Sequence, residues 1–379
     1  MPDIHRGYKF RCYPTEAQQQ QLAQTFGCCR VVYNHFLKFR TDAWYERQER
    51  VYYNETAKML TALKKDPEFV WLNAVSNVCL QQSLRHLDRG FANFFQGLAH
   101  YPTEKKKHQV QRARYMDNGF SFKDGQLKLA KQETPLAIRW HRALPETAKV
   151  TSVTITKDRA ERYFVSFQVQ ENIAPQPVVA KTIGIDLGIN AVAVCSDGQT
   201  FENKRPYRRS QQRLAKAQRQ LSRKVKGSHN RRKARLKVAK LHAKVADQRA
   251  DFNHKLTAQL IHENQVISAE TLAVKNLLQN PKLAQSIADV GWGQIIRQLA
   301  YKAAWAGRTF VQIDRWFPSS KRCSTPGCGY TREKLPLHLR EWDCPQCGAH
   351  HHRDRNAAIN IDQEGKAILA GAMQLRIHQ

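Results

Sequence analysis

The sequence predicts a multidomain α/β protein, and three observations predict it. Two-residue alternation of apolar and polar positions marks strands near the start, in the middle and in the second half of the chain; long stretches between them keep a helical period; and four cysteines gather in two close pairs near the end. At 379 residues the chain has room for two or three domains and a sizeable core.

Tyr8, Phe10 and Cys12 alternate with Lys9, Arg11 and Tyr13, a strand with one wet face that Pro14 ends. Thr15 and Gln18 form a capping box for a helix whose apolar face runs through Leu22, Phe26, Tyr33, Phe36 and Leu37, with a kink expected near Gly27. A second helix, from about Ser76 to Gln96, carries Leu80, Leu84, Leu87, Phe91 and Phe94 on one face. Residues 101–125 are polar and basic and read as a loop or an ordered arm. Val153 and Ile155, a turn at Lys157-Asp158-Arg159, and the alternating Tyr163, Val165, Phe167 and Val169 make a β-hairpin. The segment ENIAPQPVVAK (171–181), with two prolines, is a linker. The helices therefore read as an insertion into a small β domain.

The second half opens on TIGIDLG (182–188), followed by a strand at Ala191–Cys195. From Asn203 to Ala246 there are 17 Lys and Arg and no Asp or Glu. Leu214, Leu221 and Val225 hold a helical period up to a break at KGSHN (226–230), and Leu236 and Leu241 resume it, so this stretch reads as a basic helical hairpin. Strands at Val266–Glu270 and Thr309–Ile313, a helix from about Trp292 to Trp305 and a closing helix from Asp354 to Ile361 complete the chain.

A net charge of +30 calls for a polyanionic partner, with nucleic acid the first candidate and an anionic membrane surface the second. No run of about 18 apolar residues is present to span a bilayer. The start, MPDIHRGYKFRCYP, lacks the apolar core of a signal peptide. Phosphate neutralisation explains a 44-residue acid-free stretch better than a solvated charge run does. Its candidate contacts are Arg208, Arg209, Arg213, Arg223, Lys224, Lys226, Arg231, Arg232, Lys233 and Arg235.

Cys12, Cys28, Cys29, Cys79 and Cys195 sit in apolar stretches and read as buried small hydrophobes, which fits a reducing cytoplasm. Cys323 and Cys328, then Cys344 and Cys347, form two knuckles about 15 residues apart, each followed by a glycine. This is the spacing of a four-thiolate structural Zn²⁺ ribbon. With four sulfurs closing a tetrahedral site, His350, His351 and His352 are not needed as ligands, a His in place of one Cys being the alternative.

Three acids fall at particular places. Asp186 lies between Ile185 and Leu187, Glu270 ends a strand, and Asp354 opens a helix, where an N-cap is the ordinary reading. An acid among apolar strand neighbours needs a cation or a metal as partner. In an RNase H-like sheet the first strand, the fourth strand and the last helix meet at one end. Three carboxylates there can hold two Mg²⁺ or Mn²⁺ ions for in-line phosphodiester hydrolysis.

GIDLGINAVAVCSDG, the basic hairpin, SIADVGWGQIIRQLAYKAAWAGR, FPSSKRC, and CPQC followed by RDRNAAINI together resemble the TnpB family, transposon-encoded RNA-guided DNA endonucleases related to the type V CRISPR effectors. YPTEAQ, LQQSLRHLDRGFANFF and the linker also fall where that family has them, so the resemblance covers nearly the whole chain. It implies a wedge-type β-barrel (1–14 and 102–176) with an inserted helical recognition domain (15–101). A RuvC-like nuclease domain (177–315 and 349–365), a zinc ribbon (316–348) and a tail (366–379) follow. It implies one protein per guide RNA from the transposon end, cleavage of double-stranded DNA beside a short target-adjacent motif, no membrane, and a prokaryotic, nucleoid-associated setting. Carried over by position, Asp186, Glu270 and Asp354 are the catalytic Mg²⁺ ligands, and Cys323, Cys328, Cys344 and Cys347 the zinc ligands. Three departures stand out. His352-Arg353-Asp354 replaces the family's frequent Asp-Arg-Asp, the first knuckle is two residues longer, and HYPTEKKK lacks an aromatic after its proline. Asn77 and Gln81, four apart on a helix, present amides that suit adenine edges, and Tyr53 joins them by resemblance; ordinary exposed polar residues are the alternative. The rival functions are a nuclease-inactive RNA-guided repressor on the same fold, a guide-independent transposase and an RNA chaperone.

Overall fold

Alternation of buried and exposed side chains sets up the first sheet. The computed structural model describes residues 4–145, 149–336 and 338–377, with side chains to residue 372. Residues 1–3, 146–148, 337, 378 and 379, which fall in the expected β domain, ribbon and tail, lie outside the described residues. The chain divides into two units, Met1–Asn172 and Ile173–Gln379, each with its own core.

The first unit runs β1 (Ile4–Cys12), α1 (Glu16–Arg47), α2 (Tyr53–Leu63), α3 (Asn77–Phe95), β2 (Gln111–Met116), β3 (Phe120–Lys123), β4 (Gln126–Leu129), β5 (Ile138–Arg139), β6 (Lys149–Lys157) and β7 (Tyr163–Glu171). Its main sheet has the order β2-β6-β7-β1-β5, with every pair antiparallel. Phe10 lies opposite Val165, and Ile155 opposite Val165 on the other side, so the buried positions of three strands share one face. Helices α1 and α3 contribute Leu22, Phe26, Phe36, Leu80, Leu84 and Leu87 to the same core, each buried side chain stabilising the fold by about 2 kcal/mol. Thr15 and Gln18 form the capping box of α1, with Gln18 N donating to Thr15 Oγ1 and Thr15 N to Gln18 Oε1.

Two expectations need correction here, while Gly27, where a kink was expected, lies inside one unbroken helix, α1. The basic stretch 101–125 contains β2 and β3, because Ala113 and Tyr115 are buried while Arg114 lies along the wet face and donates to Gln168 Oε1 and Ser152 Oγ. Among the described residues the sheet does not close into a barrel. Its edges, β2 and β5, do not pair, and β5 is two residues long, too short to carry a closing ladder, while β3 and β4 form a separate ribbon.

The second unit runs β8 (Thr182–Asp186), β9 (Ala191–Cys195), β10 (Thr200–Glu202), α4 (Pro206–Ser222), α5 (His229–Glu263), β11 (Val266–Glu270), α6 (Val274–Leu277), α7 (Ala284–Val290), α8 (Trp292–Ala306), β12 (Thr309–Ile313), β13 (Glu341–Asp343), β14 (His350–His352) and α9 (Arg353–Ile377). The sheet order is β10-β9-β8-β11-β12; the first two pairings are antiparallel and the last two parallel. The basic stretch is the α4–α5 hairpin; α4 ends at Ser222, which leaves Val225 exposed in the turn. The closing helix is much longer than expected and takes residues 366–377 of the supposed tail with it.

The two faces of this sheet bury different residues. Ile183, Ile185 and Ile267 pack with Leu256, Leu260, Ile295 and Leu299 of α5 and α8. The alternate positions, Gly184 and Ser268, are small because α9 lies directly on them. A Cβ on Gly184 would strike the Ala358 carbonyl and the Asp362 amide, and one on Gly365 would lie 2.7 Å from Ser268 Cβ. Thr182 Oγ1 donates to Asp362 Oδ2 at 3.2 Å across the same seam. Gly184→Ala is therefore expected to lift α9 and cost about 1–3 kcal/mol. Urea unfolding checks this, and an unchanged midpoint would contradict the close seating.

Candidate functional site

Strand register brings two of the predicted acids to one edge. Ala269 lies opposite Ile185 in the parallel β8–β11 pair, so Glu270 and Asp186 end neighbouring strands on the same side. Asp354 stands in the first turn of α9, the helix seated on Gly184. The Asp186 carboxyl is held well above the usual carboxylate range, first by burial and then by the charges of Glu270 and Asp354, with Arg353 and Arg340 opposing. Three acids are thus near enough for their charges to act on one another.

They do not form a tight cage. Among the described residues, the cysteines are the one group of three or more His, Cys, Asp or Glu whose ligand atoms gather within 4.8 Å. Two of the acids are held by protein donors. Ser319 Oγ donates to Glu270 Oε1 at 2.6 Å, and Arg340 Nη1 reaches Asp354 Oδ1 and Oδ2 at 3.0 and 3.3 Å. A half-buried carboxyl pressed by two other acids fits a divalent cation, and the donors are hard oxygens suited to Mg²⁺ or Mn²⁺.

The sulfurs of the second centre are already assembled. Cys323 Sγ lies 3.7 Å from Cys347 Sγ, and Cys328 Sγ 3.6 Å from Cys344 Sγ. Gly329 and Gly348, at φ of 68° and 71°, supply the left-handed turn after each pair. A backbone amide, that of Ala349, holds the Cys347 thiol down at about 6. Four soft donors so gathered suit one tetrahedral Zn²⁺. The histidines form β14, paired with β13. His350 and His352 are exposed, whereas His351 is buried over Trp342 with Nε2 3.0 Å from Cys323 Sγ.

The nucleic-acid candidates divide. Arg208, Arg209, Arg213, Arg223, Lys224, Lys226, Arg232, Lys233 and Arg235 are exposed on the hairpin. Arg231 is half-buried, and its Nη1 donates to the Leu221 and Lys224 carbonyls, tying the turn together. In the first unit Asn77 and Gln81 are exposed on α3, and the Arg85 guanidinium, one turn further on, sits 4.3 Å from the Tyr53 ring centroid. Lys64 Nζ donates to Asn77 Oδ1 at 3.2 Å, so these residues form one polar, cationic patch.

Sequence reasoning missed Ser319, Arg340, Arg85 and Asp289. Buried Asp289 accepts from the Tyr207 and Arg208 amides and so anchors the first turn of α4. For Ser319 the signal was the FPSSKRC stretch, whose serine pair is separated from Cys323 by Lys321 and Arg322; the others had none.

Hard-oxygen and thiolate donor groups on one α/β unit, with a basic hairpin, suit a protein that holds metal ions and meets a polyanion. Comparison with known proteins narrows it. A family model described as "Probable transposase" matches residues 164–281, and one described as "Cas12f1-like, TNB domain" matches residues 292–361. A "Helix-turn-helix domain" model matches residues 1–49, where the structure has β1 and the unbroken α1. A protein of Streptomyces pristinaespiralis named "Putative RNA-guided DNA endonuclease" is 50% identical over 371 residues, covering 98% of this chain and 92% of that one. InsQ of Escherichia coli K12, named likewise, is 30% identical over 387 residues, covering 96% and 93%. A solved Cas12f1–sgRNA–target DNA complex shares the fold with a TM-score of 0.59 at 11% identity, covering 95% of this chain and 99% of that one. The chain belongs to the TnpB family.

Proposed function

We propose that this chain is an RNA-guided DNA endonuclease that cuts double-stranded DNA next to a short target-adjacent motif. The observation that carries it is Asp186 beside Glu270 and Asp354 on an RNase H-like sheet order, its carboxyl pushed upward by burial and by those two acids. Near-full-length relatives named as such enzymes support it.

Asp186, Glu270 and Asp354 would hold Mg²⁺ or Mn²⁺, which would supply water activation and stabilisation of the leaving 3′ oxygen. The chain's own part is placement. The β8 and β11 ends fix two carboxylates, α9 brings the third, and Arg340 offers a cation at the same place. Cys323, Cys328, Cys344 and Cys347 hold a structural Zn²⁺. The exposed hairpin cations neutralise guide and target phosphates, while the Tyr53, Asn77 and Gln81 patch, extended by Arg85 and Lys64, reads the adjacent motif. Guide–target pairing supplies the rest of the specificity. No described helix is long and apolar enough to cross a membrane. All three acids are present, which weighs against the nuclease-inactive reading.

Sequencing the RNA that co-purifies with the protein tests this. A defined transposon-end species with a variable 3′ segment is expected; unspecific RNA would contradict it.

The Asp186 carboxyl also sets a pH dependence. Its raised folded-state pKa means the metal-free fold binds this proton more tightly than the unfolded chain does. Its stabilising contribution is full below the ordinary carboxylate range, about 4, and is lost as pH climbs through the raised value. The same proton competes with a divalent cation for the carboxylate, so cation affinity should fall as pH drops. Added Mg²⁺ is expected to raise the melting temperature at neutral pH and not at pH about 4, and Asp186→Asn to abolish the gain. Scanning calorimetry checks both.

A further inference from the structure

The loop that leads into the first cysteine knuckle also touches the carboxylate site. Ser319 is buried and donates its hydroxyl to Glu270 Oε1 at 2.6 Å. The serine is itself fixed by its main chain. Its amide bonds the Phe317 carbonyl at 2.8 Å, and its carbonyl accepts from Asn360 Nδ2 at 2.8 Å and, at the long end, from Asn356 Nδ2 at 3.4 Å. The same two amides donate to the Arg322 carbonyl, at 2.7 Å each, and Asn356 Oδ1 accepts from the amide of Ser324. Ser324 directly follows Cys323, and Arg322 directly precedes it.

Asn356 and Asn360 are one helical turn apart on α9, both buried, and both grip backbone that flanks a knuckle sulfur. Asp354 lies two residues before the first of them. One helix therefore carries an acid and clamps the loop whose serine holds another acid. Glu270 has two carboxylate oxygens. A hydroxyl on one fixes the side-chain rotamer and leaves the other for a cation, which is the usual work of an outer hydrogen-bond partner at a metal site.

We infer that Ser319 is the positioning residue for Glu270, and that the Asn356–Asn360 clamp couples the geometry of the thiolate module to the carboxylate site. This deepens the proposed function and rests on its reading of Glu270 as a ligand for a divalent cation. The loop that the knuckle tethers is the loop that aims Glu270, so order in one centre is transmitted to the other through a few short hydrogen bonds.

The test uses the full chain with its co-purified RNA and reads Mn²⁺ binding by electron paramagnetic resonance titration, zinc content, and DNA cleavage against Mg²⁺ concentration. Ser319→Ala is expected to weaken Mn²⁺ binding about tenfold and to raise the Mg²⁺ needed for half-maximal cleavage by a similar factor. Saturating Mg²⁺ restores its rate, and zinc content stays at the wild-type level. Ser319→Thr, which keeps the hydroxyl, retains Mn²⁺ affinity within about threefold of wild type. Asn360→Leu shifts Mn²⁺ affinity in the same direction as Ser319→Ala although Ser319 is present. Unchanged Mn²⁺ affinity in Ser319→Ala overturns the inference. So does a parallel loss of zinc, which makes the serine a structural part of the ribbon. A wild type whose Mn²⁺ binding is insensitive to Glu270→Gln overturns it too. Because the titration reads the site without cleavage, a wild type that binds Mn²⁺ through Glu270 yet leaves DNA uncut contradicts the nuclease reading, while the Ser319→Ala shift still supports the positioning role.

Discussion

Asp186→Ala is expected to lower target cleavage by about 10³-fold or more while leaving RNA content and target binding intact. In the proposed function Asp186 is the acid with the greatest need of a cation. Glu270 and Asp354 have a hydroxyl and a guanidinium beside them, whereas burial and the other two acids together press on Asp186. Removing it takes away a ligand that both places the cation and offsets charge developing on the phosphate, an effect of several kcal/mol, and each 1.36 kcal/mol or so is tenfold in rate. The hairpin cations and the Tyr53 patch are untouched by the change, so affinity for RNA and DNA should hold. Gel-shift and plasmid-cleavage measurements on the same preparation separate the two quantities. Cleavage that survives would place the chemistry elsewhere.

Cys344→Ser is the second large effect. The thiolate module has almost no core of its own: Cys323, Leu335, Trp342 and Cys344 are its buried cluster, with Cys328, Tyr330 and Leu339 packed partly against it. So small a cluster cannot offset the backbone entropy of a segment of this length, and a structural zinc that contributes about 10 kcal/mol can. Losing one sulfur should empty the site of zinc and open residues 320–350 to protease. Cleavage should fall as well, since Arg340 lies in that segment and the Ser319 loop leads into it. Metal analysis with limited proteolysis reads the first two effects. A variant that keeps protease resistance without zinc would show that the fold of the module does not need the ion.

Much of this was legible because the physics is local. Alternation named β1, β6 and β7; the acid-free stretch named the α4–α5 hairpin; the cysteine spacing named the sulfur cluster, and its four sulfurs do lie together. GIDLG was legible for its acid, and its first glycine has a tertiary reason, the seating of α9 on Gly184. Other features depend on partners distant in sequence. β2 read as a loop because basic side chains line its wet face and its ladder partner, β6, comes about 40 residues later. The sheet of the first unit read as a barrel by resemblance, yet among the described residues its two edge strands do not pair with each other. Arg231 looked like any other hairpin cation until its hydrogen bonds to the turn were visible. His351 looked like one of three histidines not needed as ligands until strand pairing turned it, and not its neighbours, toward Cys323.

The central claim is tested most directly by giving the purified protein, with its co-purified RNA replaced by one of known 3′ segment, a plasmid carrying the matching sequence beside the adjacent motif, with Mg²⁺ present. Cleavage is expected at that site alone, lost with an unmatched segment, after RNase treatment, without Mg²⁺, and in Asp186→Ala. Site-specific binding without cutting, identical in wild type and Asp186→Ala, or cutting that persists after RNase, would contradict it.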